Sequence, residues 1–147
     1  MNLLIHSSLD HKDKLLDCSR KFESLGLSII LPELKRFQHI RDDLKDELAF
    51  NKIKNKLSIE NIKNVEKCDY LLIVNPDHRD IKNYIGGNSF LEMVIAFYLK
   101  KPIFLTNSIP ENLPYTEEIK SFFPSTVCMK SITKKAWESY VKAAYIR

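Results

Sequence analysis

Glycine is almost missing from this chain of 147 residues, which has three of them against 23 lysines and arginines. Neither G-x-G-x-x-G nor a Walker sequence occurs, so dinucleotide or nucleoside-triphosphate binding through those loops is not expected. Cysteine is as sparse. Cys18, Cys68 and Cys128 are odd in number, lie far apart and have no C-x-x-C spacing or paired histidines, which argues against a disulfide framework and a zinc site and for a reducing cytoplasm. Long apolar runs are also lacking. Residues 3–5 are too few for a secretory core, and the apolar stretch 90–99 is broken by Glu92 and closed by Lys100 and Lys101, so no targeting or membrane-spanning segment is expected. Charge of one sign does not dominate either: the net +4 comes from interleaved charges, so no nucleic-acid polymer is expected as partner. The basic tail from Lys130 to Arg147 reads as a solvated helix face.

What is present is an alternation. "NLLIHSS" opens as a short buried strand, and Leu15, Leu16, Phe22 and Leu25 then recur at helical spacing. Gly26 stands where a helix C-cap glycine belongs, directly before the β-rich "LSIILP". Residues 33–67 are charged, with Leu48, Phe50, Ile53, Leu57, Ile62 and Val65 predicting one long helix or two short ones broken near Ser58. "DYLLIVNPD" is a continuous apolar strand between polar turn residues, the pattern of burial on both faces. Asn88 or Ser89 is expected to cap a helix running to about Lys100, with Phe90, Met93, Val94, Phe97 and Tyr98 as its buried positions. "KPIFLTN", "YTEEIKSFF", "STVCM" and "KKAWESYVKAAY" then predict strand, helix, strand and helix. The sum is a flavodoxin-like α/β three-layer sandwich with a five-stranded parallel sheet of order 2-1-3-4-5, as one domain over residues 1–147.

Such a fold binds ligands outside the carboxyl ends of its strands, near the switch between the first and third. Ser7 and Ser8, Asn75 and Asp77, and Thr106 and Asn107 follow the first, third and fourth strands, so they should share that edge. Gly86 and Gly87 open onto it, where positive φ would let backbone approach a ligand and free N–H groups would attract an anion or a sugar hydroxyl. An ordinary turn capped by Asn88 is the alternative. Glu92, expected in the first turn of an otherwise apolar helix, either complements the helix dipole or a capping pair with Ser89, or is a reactive group facing the glycine loop. His6 reads as a core or strand-end residue, and His11, His39 and His78 as solvent-facing. Tyr84 either stacks on a base or packs the loop, and Trp137, Tyr140 and Tyr145 read as core or oligomer contacts.

"CDYLLIVNPD", "NYIGGNSFLEMVIAFYLKKPIFLTNSIPE" and "YTEEI" together resemble the nucleoside 2-deoxyribosyltransferase-like superfamily, in a divergent branch near the nucleoside 5′-monophosphate N-glycosidases. The resemblance implies that Glu92 is a nucleophile attacking C1′ of a nucleoside or nucleotide, displacing the base to leave a glycosyl-enzyme. It further implies a sugar site lined by Gly86, Gly87, Asn88 and Ser89, with Asn75 and Asp77 near base or sugar and Asn107 on the far wall. Ser7, Ser8 and Ser89 would hold a 5′-phosphate. A homo-oligomer is implied, and neither cofactor nor metal is.

The chain departs from that pattern at two acids. The aspartate that stands six residues before the nucleophile in typical transferases is Gly86 here, and Asn75 takes the place of the acid ending the third strand, with Asp77 two residues on. A neutral amide can hydrogen-bond a base but cannot protonate a leaving one, so hydrolysis is expected over deoxyribosyl transfer, with Asp77 or Asp80 as substitute acid. A non-catalytic nucleotide-binding domain and a TIR-like NAD glycohydrolase are the alternatives. A response-regulator receiver would need an acidic pair where Ser7 and Ser8 stand and a phosphoacceptor where Asn75 stands.

Overall fold

The computed structural model describes residues 1–33 and 46–146. Within them the chain runs β1 (Asn2–Ser7), α1 (Lys12–Ser24), β2 (Ser28–Ile30), α2 (Glu47–Lys67), β3 (Tyr70–Val74), α3 (Gly87–Tyr98), β4 (Ile103–Leu105), α4 (Thr116–Ser121), β5 (Ser125–Thr126) and α5 (Lys134–Tyr145). His39 and the first part of the charged stretch lie outside the described residues.

All strand pairs are parallel and the order is β2-β1-β3-β4-β5, as the alternation predicts. Side chains alternate across the sheet with period 2. Leu3 and Ile5 of β1, with Tyr70, Leu72 and Val74 of β3, pack on Leu15, Cys18 and Phe22 of α1 and Trp137 of α5. Leu4, Leu71 and Ile73 point the other way, into Val65 of α2, Met93 and Ala96 of α3 and Ile119 of α4. Both central strands are therefore buried on both faces, which makes three layers.

Local chemistry sets the element ends. After α1, Gly26 adopts φ +89 and donates to Glu23 O at 2.9 Å, while Leu27 N donates to Phe22 O at 3.3 Å. That is a Schellman ending, and a side chain at position 26 would strain it. The other end of the fold uses Lys101, whose Nζ donates to Val65 O, Glu66 O and Cys68 O at 2.8, 2.6 and 2.5 Å and so closes the last carbonyls of α2. Thr133 Oγ1 accepts from Ala136 N at 3.1 Å and starts α5.

Of the two readings of the charged stretch, the single long helix holds among the described residues: α2 runs unbroken from Glu47 to Lys67, with no proline to interrupt the ladder. Three expectations need correction. Phe97 and Tyr98 are not buried but 51% and 80% exposed, since α3 turns its Ser89, Glu92, Met93 and Ala96 stripe to the sheet. His11 and His78 are half-buried rather than solvent-facing, their rings meeting edge to face at 5.3 Å. The fifth strand is confined to Ser125 and Thr126.

Candidate active site

The carboxyl edge of the sheet is organised by one amide. Asn75, fully buried just after β3, donates through Nδ2 to Asn83 O, Asn107 O and Ser108 O at 3.4, 3.2 and 3.1 Å. Its Oδ1 accepts from Asn107 N at 2.9 Å and from Thr106 Oγ1 at 3.3 Å. Asn107 answers by donating from Nδ2 to Asn75 O at 3.1 Å. The amide thus fastens the ends of β3 and β4 to the loop before α3, with every polar atom engaged.

That loop is a closed unit of its own. His78 and Ile81 exchange backbone hydrogen bonds at 2.9 and 3.0 Å, Tyr84 N donates to Pro76 O at 3.0 Å, and Asp77 Oδ1 accepts from Asn83 N at 2.9 Å. Asp77 itself is exposed. Tyr84 lies against the His78 ring at 4.9 Å, and Tyr115 Oη donates to Ile85 O at 2.5 Å just before the helix begins.

The glycines do not serve the conformational purpose the sequence suggested. Gly86 has φ −75 and ψ 167, Gly87 is the first residue of α3, and neither takes positive φ. A Cβ at Gly86 would meet the Tyr84 ring at 3.5 Å, whereas one at Gly87 would meet nothing within 4 Å. Gly86, not Asn88 or Ser89, is the N-cap, and no side chain caps the helix. The first turn of α3 consequently presents bare N–H groups beside open space.

Because α3 starts this early, Glu92 falls in its second turn, and no acidic residue lies in the first. The dipole and capping-pair explanations therefore lapse. Ser89 and Glu92, three residues apart on one helical face, turn inward to His6, which shares the α3 side of β1 with Leu4. His6 Nδ1 lies 2.9 Å from Ser89 Oγ, and His6 Nε2 lies 3.3 Å from Glu92 Oε1. All three are buried, at 3%, 1% and 2% exposure, and Glu92 Oε2 has no hydrogen-bond partner among the described residues.

Burial decides the charges here. It pushes the Glu92 carboxyl well above the ordinary carboxylate range. It also lowers His6 to about 4, with the Lys54 ammonium adding to the effect. Lys54 reaches over from α2 and donates to Asn88 Oδ1 at 3.2 Å, placing a cation beside the open first turn of α3.

The structure thus brings Glu92 and Ser89 together and gathers Asn75, Asn107 and Asp77 around the loop, while Ser7 Oγ donates to the neighbouring Ser8 O at 3.0 Å. Sequence reasoning assigned no site role to His6 or Lys54. The signal for His6 was available: it is a titratable residue at a buried position of β1, on the same side of the strand as Leu4. Two surface hollows run along α2, one lined by Leu48 and Ile53 and the other by Leu31 and Leu57, and neither includes His6, Ser89 or Glu92. The described residues contain no cluster of three or more His, Cys, Asp or Glu side chains that could hold a metal ion, and no helix long and apolar enough to cross a membrane.

No family model matches the chain, and no curated protein does. A solved structure does: a 2-deoxyribosyltransferase from the psychrotolerant bacterium Bacillus psychrosaccharolyticus, superposing with a TM-score of 0.55 at 10% identity and covering 86% of this chain and 98% of its own. The likeness is one of fold.

Proposed function

We propose that this protein cleaves the N-glycosidic bond of a nucleoside or nucleotide, by hydrolysis, with Glu92 as the nucleophile. The observation that carries the reading is a carboxyl oxygen, Glu92 Oε2, buried without a partner on the helix that opens the ligand edge of a deoxyribosyltransferase-like fold. An unsatisfied buried oxygen costs stability, about 1–3 kcal/mol, and such costs accumulate where function requires them. Attack by Oε2 on C1′ splits a difficult displacement at an oxocarbenium-like centre into two easier ones, and water then resolves the glycosyl ester.

The surroundings suit that task. The bare first turn of α3, with Asn88 and Ser89, offers hydrogen bonds to sugar hydroxyls or a 5′-phosphate, and Lys54 supports negative charge there. Tyr84 supplies a ring at the rim for the base, and exposed Asp77 is the carboxyl best placed in the loop to meet a leaving base. Hydrolysis is preferred over transfer because Asn75 is an amide locked in its clamp and cannot shuttle a proton between two bases.

The test is chromatographic detection of free base after incubating the parent protein and Glu92→Gln with nucleosides, deoxynucleosides, their 5′-monophosphates and NAD. Base released by the parent alone supports the reading, and nicotinamide from NAD alone would shift it to NAD cleavage. Thermal stabilisation by one compound without release of any base would replace it with a nucleotide-binding role, which the missing acid at position 75 favours.

A further inference from the structure

The contacts of Glu92 with β1 raise a question of protons. One hydrogen bond, between His6 Nδ1 and Ser89 Oγ, and one 3.3 Å approach of Glu92 Oε1 to His6 Nε2 join three side chains in a line. A neutral imidazole has one donor and one acceptor, so the line runs in one of two senses. Either Nε2–H donates to a carboxylate and Ser89 donates to Nδ1, or a protonated Glu92 donates to Nε2 and Nδ1–H donates to Ser89. The first leaves a full negative charge in a site 2% exposed, with one oxygen unpartnered. The second leaves every member neutral.

We propose that His6 is a positioning residue that stores the proton of Glu92: at rest the acid donates from Oε1 to His6 Nε2, and His6 Nδ1–H is held on Ser89 Oγ. The proposal takes its chemical purpose from the glycosidic reading above, but the proton arrangement stands on the geometry of the free protein. The charged and titratable groups around the line are few. Lys54 faces it from α2, and the Cys68 thiol lies between α2 and β3, where burial keeps it neutral with a pKa of about 11. No second acid competes for the proton among the groups that perturb His6 or Glu92.

In the reaction the proton crosses from Oε1 to Nε2, leaving a carboxylate against an imidazolium. Oε2 then forms a bond to C1′ as the C1′–N bond breaks, the electron pair of the broken bond leaves with the base, and the base takes a proton that the Asp77 carboxyl relays from solvent. Water next attacks C1′, the ester bond returns its electron pair to Glu92, water's proton goes to solvent, and Nε2–H returns its proton to the acid. Protons taken up and released balance over the cycle. The carboxylate thus exists when a ligand is present to use it, and the resting site avoids a buried ion.

The first test needs no substrate. Two-bond proton–nitrogen correlation spectra of the nitrogen-labelled full chain should show His6 protonated at Nδ1 and bare at Nε2 near neutral pH, unchanged down to about pH 4. A proton on Nε2, or titration near the ordinary 6.5, overturns the proposal whatever becomes of the glycosidic reading. The second test is His6→Gln, whose amide reaches Glu92 but takes up no proton. With a substrate found by the panel above, kcat should fall about 100-fold with KM within about threefold of the parent, since His6 touches Glu92 and not the ligand. The variant must ionise Glu92 to solvent, so its rate should climb about tenfold per pH unit where the parent is flat. A parental kcat or pH profile overturns the proposal; absence of base release from the parent sinks the glycosidic reading and leaves the spectra to decide.

Discussion

Two buried polar groups of side chains lie close in the fold and differ in kind. Around Asn75 every donor and acceptor is engaged, no member carries a charge, and the bonds run to backbone atoms of two loops. Around Glu92 the groups are ionisable, the bonds run between side chains, and one oxygen is left over. Polarity that is complete holds a structure together, while polarity with an unmet valence is kept for something that arrives. Residue type alone reads the strand-end amide of Asn75 as a ligand contact; its hydrogen bonds within the fold become visible only when its partners are counted.

Breaking each group should separate them. Glu92→Gln is expected to reduce base release by at least about 1000-fold while leaving the circular dichroism spectrum unchanged. It should also raise the melting temperature above the parent at pH 8. Burial raises the Glu92 pKa in the fold, so the unfolded chain gives up this proton first and the carboxyl costs stability increasingly as pH rises from the ordinary 4.5. A melting temperature that falls equally at pH 5 and pH 8 would mean that the carboxyl is structural. Asn75→Ala should do the opposite, costing about 3 kcal/mol or more in urea unfolding, with the loss of activity no greater than the loss of folded protein.

Acid sharpens the contrast through His6. The unfolded chain binds a proton near pH 6.5 and the folded site does not until about 4, so stability should fall as pH drops across that window. The expected loss is about 3 kcal/mol, and His6→Gln should flatten that limb. A smaller effect is expected for Ser89→Ala, which leaves Nδ1–H without its acceptor and should cost about 1 kcal/mol. The smallest concerns the open turn: Gly87→Ala meets no atom within 4 Å and should stabilise α3 by about 0.5–1 kcal/mol. If ligand backbone contacts need that space, affinity should drop in the same variant.

The sheet order and α5 were legible because each rests on local pattern, an alternation of apolar runs with helical spacing that ends at the residues expected. Gly26 was legible for the same reason. The start of α3 was not. Ser89 is a good capping residue by type, but its hydroxyl is taken by a histidine 83 positions earlier, and no local rule carries that contact. Glu92 stood out as an oddity in an apolar run, yet its neighbour on β1 was invisible for the same reason of sequence distance. Phe97 and Tyr98 were misplaced because apolar character says that a face is buried without saying in what.

The pairing of β1 with β3 sets His6 opposite Ile73 and Ser7 opposite Val74. Strand side chains alternate, so a shift of β1 by a single residue would hand the imidazole to the α1 layer and present Ile5 or Ser7 to α3 instead. The chemistry of the site is therefore written in the phase of a ladder of backbone hydrogen bonds. A chain that paired one step out of phase would still bury its leucines and isoleucines, and it would have lost the means to hold the proton of Glu92.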